Sequence, residues 1–147
     1  MTSTVRVPPY FDGTPLCEPW RDVWIIRAPV TYYRVNGHVT VPELFVTDFA
    51  SIPSLVWPII HPTDPRILLP SLAHDRAYED HSVTRSEADF ILWEAMGAVE
   101  EPASRWLRWH VWAAVRMGGG MSYATGPARQ QERRAAYGAW VRAQTTG

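Results

Sequence analysis

With 147 residues, 46% hydrophobic and 20% charged, the chain has the size and composition of one globular domain, which excludes a string of modules and a disordered polymer. No run of about 18 uninterrupted apolar residues occurs, so a membrane-spanning helix is excluded, and a lone cysteine, Cys17, excludes an internal disulfide. The net charge of −1 hides a polarity: residues 1–104 carry seven Arg against fourteen acids, a sum of −7, whereas residues 105–147 carry seven Arg against Glu132, a sum of +6.

Residues 1–19 are punctuated by Pro8, Pro9, Gly13, Pro15 and Pro19, a density that predicts an extended N-terminal arm. From residue 20 to 48 the runs 23–27, 30–35, 39–41 and 44–46 are rich in β-branched and aromatic residues, which predicts a small antiparallel sheet. Asn36-Gly37 between two of these runs predicts a hairpin, because both residues tolerate the positive φ of a type I′ turn. Ser51 can cap a short helix that accepts Pro53 in its first turn and ends near residue 60.

A helix of greater interest starts near Leu68 or Pro70 and runs to about Asp80. Thr84 followed by Glu87 three residues later is a capping box, with Ala88, Ile91, Leu92, Ala95 and Met96 as the apolar face of the helix it opens. Pro102 opens a third helix, rich in Trp106, Leu107, Trp109, Val111, Trp112 and Val115, and Gly118-Gly119-Gly120 stops it. The tryptophans at three-residue spacing read as core, with a stacking surface for sugars or bases as the other reading. A weakly amphipathic stretch near 128–143, within a basic extension spanning 126–147, reads as a frayed tail or a docking arm. The expected fold class is therefore α+β: one sheet from 20–48, then three or four packed helices, in a single domain over 20–125.

The chemistry concentrates on His74-Asp75-Arg76-Ala77-Tyr78 and on Asp89. On a helix His74 and Tyr78 share a face, and Asp75 points about 100° away. Asp89 lies at the edge of an apolar stripe with Trp93 and Met96, and a buried carboxylate needs a donor. If the two helices pack antiparallel, Asp89 reaches His74 and orients one ring nitrogen, leaving the other as a base. The competing reading is a structural hydrogen bond that staples two helices, with Tyr78 as ordinary core. Asp48, at a strand end, can join Asp75 as a ligand of a divalent cation, with carboxylates favouring calcium or magnesium and an imidazole favouring zinc. His61 and His81 read as exposed, and His110 as packed among tryptophans.

The stretch His74-Asp75-Arg76-Ala77-Tyr78 with Asp89 resembles the phospholipase A2-like enzymes. The resemblance implies that His74 takes a proton from water, Asp75 binds calcium and Asp89 orients the imidazole. A second resemblance covers most of residues 45–120. Thr47-Asp48-Phe49-Ala50-Ser51-Ile52-Pro53, Ala73-His74-Asp75 with Tyr78, Arg85 with Ala88-Asp89, and Val115-Arg116 with Gly118 are similar to DUF1353, a family of uncharacterised proteins common in bacteriophages and prophages. That setting implies virion tail or neck proteins as partners and an oligomer formed through assembly. It also implies synthesis in a host cytoplasm, without a signal peptide, and incorporation in the virion.

Two functions follow as expectations. One is a hydrolase of phospholipid esters or cell-envelope bonds, with His74, Asp89 and Tyr78 as the catalytic set and Asp75 and Asp48 on a calcium or zinc ion. The other is a non-enzymatic tail or neck component. Nucleic acid is not an expected partner on either.

Overall fold

A computed structural model describes residues 5–49 and 52–146. It has the α+β class expected, with two three-stranded antiparallel sheets in place of one. Strands β1 (Tyr10–Asp12), β4 (Val30–Arg34) and β5 (Gly37–Val41) form one in the order β1-β4-β5. Strands β2 (Cys17–Trp20), β3 (Val23–Ile26) and β6 (Val46–Thr47) form the other in the order β2-β3-β6. A 3-10 turn at Ser54–Val56 leads to the helices α1 (Pro65–Asp80), α2 (Arg85–Ala95), α3 (Arg105–Gly118) and α4 (Gly120–Thr145).

Within the expected extended arm, β1 and most of β2 are regular strands. The ring of Phe11 packs on Tyr32 at 4.7 Å and that of Tyr10 stacks on Tyr33 at 5.1 Å, so aromatic cross-strand pairs hold β1 in its sheet. Pro19 is tolerated because β2 is an edge strand. The hairpin falls one residue earlier than Asn36-Gly37 suggests: Arg34 pairs with Gly37, the turn is Val35-Asn36, and Gly37 enters the strand at φ +144°. Glycine freedom is spent at the strand entry, not inside the turn.

After β6 the expected helix shrinks to the 3-10 turn, and its expected cap, Ser51, lies outside the described residues. The start of α1 precedes Leu68, because Asp64 caps it by accepting from the Arg66 N–H at 2.9 Å, with Pro65 at the first helical position. Thr84 caps α2 through the Glu87 N–H, and Ser104 caps α3 through the Leu107 N–H, each at 3.2 Å.

Helix α1 is the centre of the molecule, packed against α2, α4 and β5. Ten of its sixteen residues are buried, His74, Asp75 and Glu79 among them, so these polar groups must find partners inside the protein. The C-terminal stretch is a continuous helix docked on α1 and β6, not a frayed tail. Gly126 makes the docking possible: a Cβ there would lie 2.5 Å from the Tyr78 carbonyl oxygen.

Candidate functional site

Asp89 of α2 is fully buried and gathers donors from two other helices. Its Oδ1 accepts from His74 Nε2 at 3.0 Å and from the Tyr78 hydroxyl at 2.5 Å, both on α1, and its Oδ2 accepts from Arg116 Nη1 of α3 at 2.8 Å. Arg85, one turn before Asp89, stands 3.9 Å away and donates to the Val115 and Arg116 carbonyls. The antiparallel packing expected of α1 and α2 thus brings His74, Tyr78 and Asp89 together. Burial alone would raise the Asp89 carboxyl, but the hydrogen bonds from His74, Tyr78 and Arg116 outweigh it and hold the group below the usual carboxylate range. Burial lowers His74 against the opposing pull of Asp89, which favours the neutral ring. A neutral imidazole that donates from Nε2 to a carboxylate keeps its lone pair on Nδ1, and that atom is buried without a partner.

His74 Nδ1 lies 4.0 Å from Asp75 Oδ1, which is likewise unpartnered. The other oxygen of Asp75 accepts from the Thr47 hydroxyl at 2.7 Å. Asp75 opens onto a cavity of about 60 Å³ lined also by Thr47, Asp48, Glu79, Arg129 and Arg133, enough for a small cluster of waters but far below the ~300–1,000 Å³ of ligand pockets. Asp48 and Asp75, expected to share a cation, do line the same space. Asp48, however, is bound by Arg133 at 2.9 Å and Glu79 by Arg129 at 2.7 Å. Two guanidinium groups therefore bind the carboxylates beside Asp75, in the space where a cation shared by Asp48 and Asp75 was expected. Among the described residues no group of three or more His, Cys, Asp or Glu is arranged to hold a metal, and the donor set as it stands does not fit one.

Burial pushes the Asp75 carboxyl up to about 8; Thr47 opposes the shift, Asp48 and Glu79 add to it, and Arg129 opposes it. The folded protein then holds a proton that the unfolded chain releases near pH 3.8. The stability from Asp75 is greatest below pH 3.8 and is lost as pH rises towards about 8. Asp75→Asn keeps an acceptor for Thr47 and cannot ionise. Urea titrations should show its stability relative to wild type improving by a few kcal/mol on the order expected for such a shift between pH 5 and pH 8.5. A difference that stays constant with pH would contradict the assignment.

The residues not anticipated from the sequence are Thr47, Glu79, Arg129 and Arg133, which close the cavity, and Gln130, which bonds the Val46 backbone beside it. A signal for Arg85 existed in its i,i+4 spacing from Asp89. His61 and His81 are exposed, as expected, and His110 packs between Trp106 and Trp109 at 4.0 and 5.0 Å.

A family model described as a protein of unknown function, DUF1353, matches residues 24–115, more than half of the chain. The chain belongs to DUF1353. Neither a curated protein nor a solved structure matches it. The DUF1353 match takes in β3 to β6 and α1 to α3, hence His74, Asp75, Tyr78, Asp89 and Asp48, and ends at Val115, one residue before Arg116. The helix α4, which supplies Arg129 and Arg133, lies beyond it.

Proposed function

We propose that this DUF1353 protein is a non-enzymatic component of a larger assembly, of the virion tail or neck kind that the family resemblance suggests, in which the His74–Asp89 pair is a folding staple. The observation that carries this reading is the closure of the pair: His74 and Asp89 are each 0% exposed, and Asp89 is saturated by donors from α1 and α3. A carboxylate shared by three helices fixes their relative positions, which is what a staple does and what a substrate site does not need.

The test pairs stability with turnover. His74→Ala should lower the melting temperature by several degrees, since it leaves Asp89 short of a donor in the interior. The wild-type protein should hydrolyse neither dispersed phospholipid nor peptidoglycan, and in an infected or induced culture it should co-sediment with particles. Turnover by the wild type that His74→Ala abolishes, at an unchanged melting temperature, would overturn the reading.

One observation favours the hydrolase as a second reading. His74 Nδ1 keeps an unshared pair beside Asp75 while Asp89 fixes the ring, the orientation a general base requires. On this reading His74 takes a proton from water, Asp89 orients the imidazole, Tyr78 supports Asp89, and a phospholipid ester or cell-envelope bond is attacked. It requires α4 to move, because a cavity of about 60 Å³ has room only for water.

A further inference from the structure

The tryptophans of α3 are not all core. Trp106 and Trp109 are 60% and 57% exposed, and Phe90 of α2 is 42% exposed. Phe90, Trp93, Trp109 and Trp112 with Ser86 line an open groove of about 460 Å³ between α2 and α3. Exposed aromatic rings gathered on one groove are unusual on a surface that meets only water. Two arginines stand beside the groove. Arg105 and Arg108 stand on the same face of α3 as Trp109 and Trp112, by the 3.6-residue period. Neither is ion-paired to a carboxylate among the described residues. Arg108 Nη1 donates to the Trp93 carbonyl at 3.4 Å, while its Nε is buried without a partner, and burial with the neighbouring Arg105 charge lowers the group.

We propose that this groove docks an acidic segment of a partner protein, inserting one or two large apolar side chains between the aromatic rings and placing a carboxylate on Arg105 and Arg108. The proposal rests on the assembly reading and names the chemistry of the partner. Two features favour a protein segment over a single nucleic-acid strand. Trp93 is already engaged by Phe90, stacked at 5.8 Å, and by the Arg108 guanidinium at 4.2 Å, so its surroundings suit side-chain insertion more than base stacking. Two arginines also make a local charge site, whereas a strand needs a basic track along its backbone. Aromatic anchors with arginine are the composition of the energetic centre of protein interfaces.

The experiment uses the full chain and follows tryptophan fluorescence and the anisotropy of labelled probes. The probes are a helical peptide with Leu and Phe at i, i+4 and i+7 and Glu at the flanking positions, a twin with every Glu changed to Lys, oligodeoxythymidine, and vesicles of phosphatidylcholine with phosphatidylglycerol. The acidic peptide should bind at least tenfold tighter than its twin. Trp109→Ala and Arg105→Glu, both at exposed positions, should each weaken it at least tenfold with an unchanged melting temperature. Equal binding of the twins, tighter binding of the oligonucleotide or the vesicles, or self-association that Trp109→Ala abolishes would overturn the proposal. Particle association separates this failure from that of the assembly reading. If Trp109→Ala still co-sediments with particles, the groove is not the docking site and the assembly reading stands; if the wild type does not, the assembly reading itself falls.

Discussion

Asp89→Ala should destabilise the protein by ~3–5 kcal/mol, the usual cost of removing one partner from a buried ion pair. The reason is what the substitution strands. His74 Nε2, the Tyr78 hydroxyl and Arg116 Nη1 all converge on this carboxylate, and each would lose its acceptor, His74 and Tyr78 in the interior and Arg116 at a part-exposed position. Asp89→Asn separates charge from shape. An amide oxygen still accepts from Tyr78, but the Arg116 charge loses its counter-charge, so the loss should be smaller than for Ala and still well above 1 kcal/mol. Urea unfolding at pH 7 measures both. A loss below about 1 kcal/mol for Ala, the level of a surface pair, would mean that three helices are held together by something other than this node.

The second large effect is expected at Gly126→Val. A Cβ at this position would meet the Tyr78 carbonyl oxygen at 2.5 Å, the Tyr78 carbonyl carbon at 3.1 Å and Glu79 Cα at 3.2 Å. All three are backbone atoms of α1, which cannot step aside as a flexible side chain can. Helix α4 must then lift, at a cost of about 3 kcal/mol or more, the upper part of the range for overpacking. Lifting it would also loosen the Arg129–Glu79 and Arg133–Asp48 pairs that close the cavity over Asp75. Gly138→Ala, in the same helix, is the control. Its Cβ would meet only the flexible end of Arg142 at 3.4 Å, and alanine is the better helix former by roughly 0.5–1 kcal/mol. Equal effects of the two substitutions would show that α4 does not depend on its close approach to α1.

The elements that local chemistry decides were legible in the sequence. Thr84 with Glu87 marks the start of α2, and Asn36 with Gly37 places the β4–β5 hairpin to within a residue. The His74–Asp89 contact was legible too, because a carboxylate at the edge of an apolar stripe demands a donor and the preceding helix offers one. Three features were not. The start of α1 was obscured by competing prolines: Pro70 looked like a first-turn residue, whereas Asp64-Pro65 performs that role and Pro70 sits inside the helix. The strands β1 and β2 lie in a proline-rich stretch, with Pro19 inside β2, and owe their pairing to partners that local propensity does not see. Helix α4 is weakly amphipathic because it docks through arginine ion pairs, a glycine and an amide, so no apolar stripe betrays its inner face. For the same reason the basic residues facing Asp48 and Glu79 could not be placed from sequence spacing. The exposure of Trp106 and Trp109 runs against the usual fate of tryptophan on a helix that also supplies core residues, and only packing decides it.

Gln130 shows what the docked helix does for the sheet it touches. Its side-chain amide accepts from the Val46 N–H and donates to the Val46 carbonyl, both at 2.9 Å, so a helical residue imitates the pairing of one more strand along the free margin of β6. An uncovered margin of this kind invites strands from other copies and, from there, runaway aggregation. A single glutamine occupies the hydrogen-bonding groups through which such lateral growth would start.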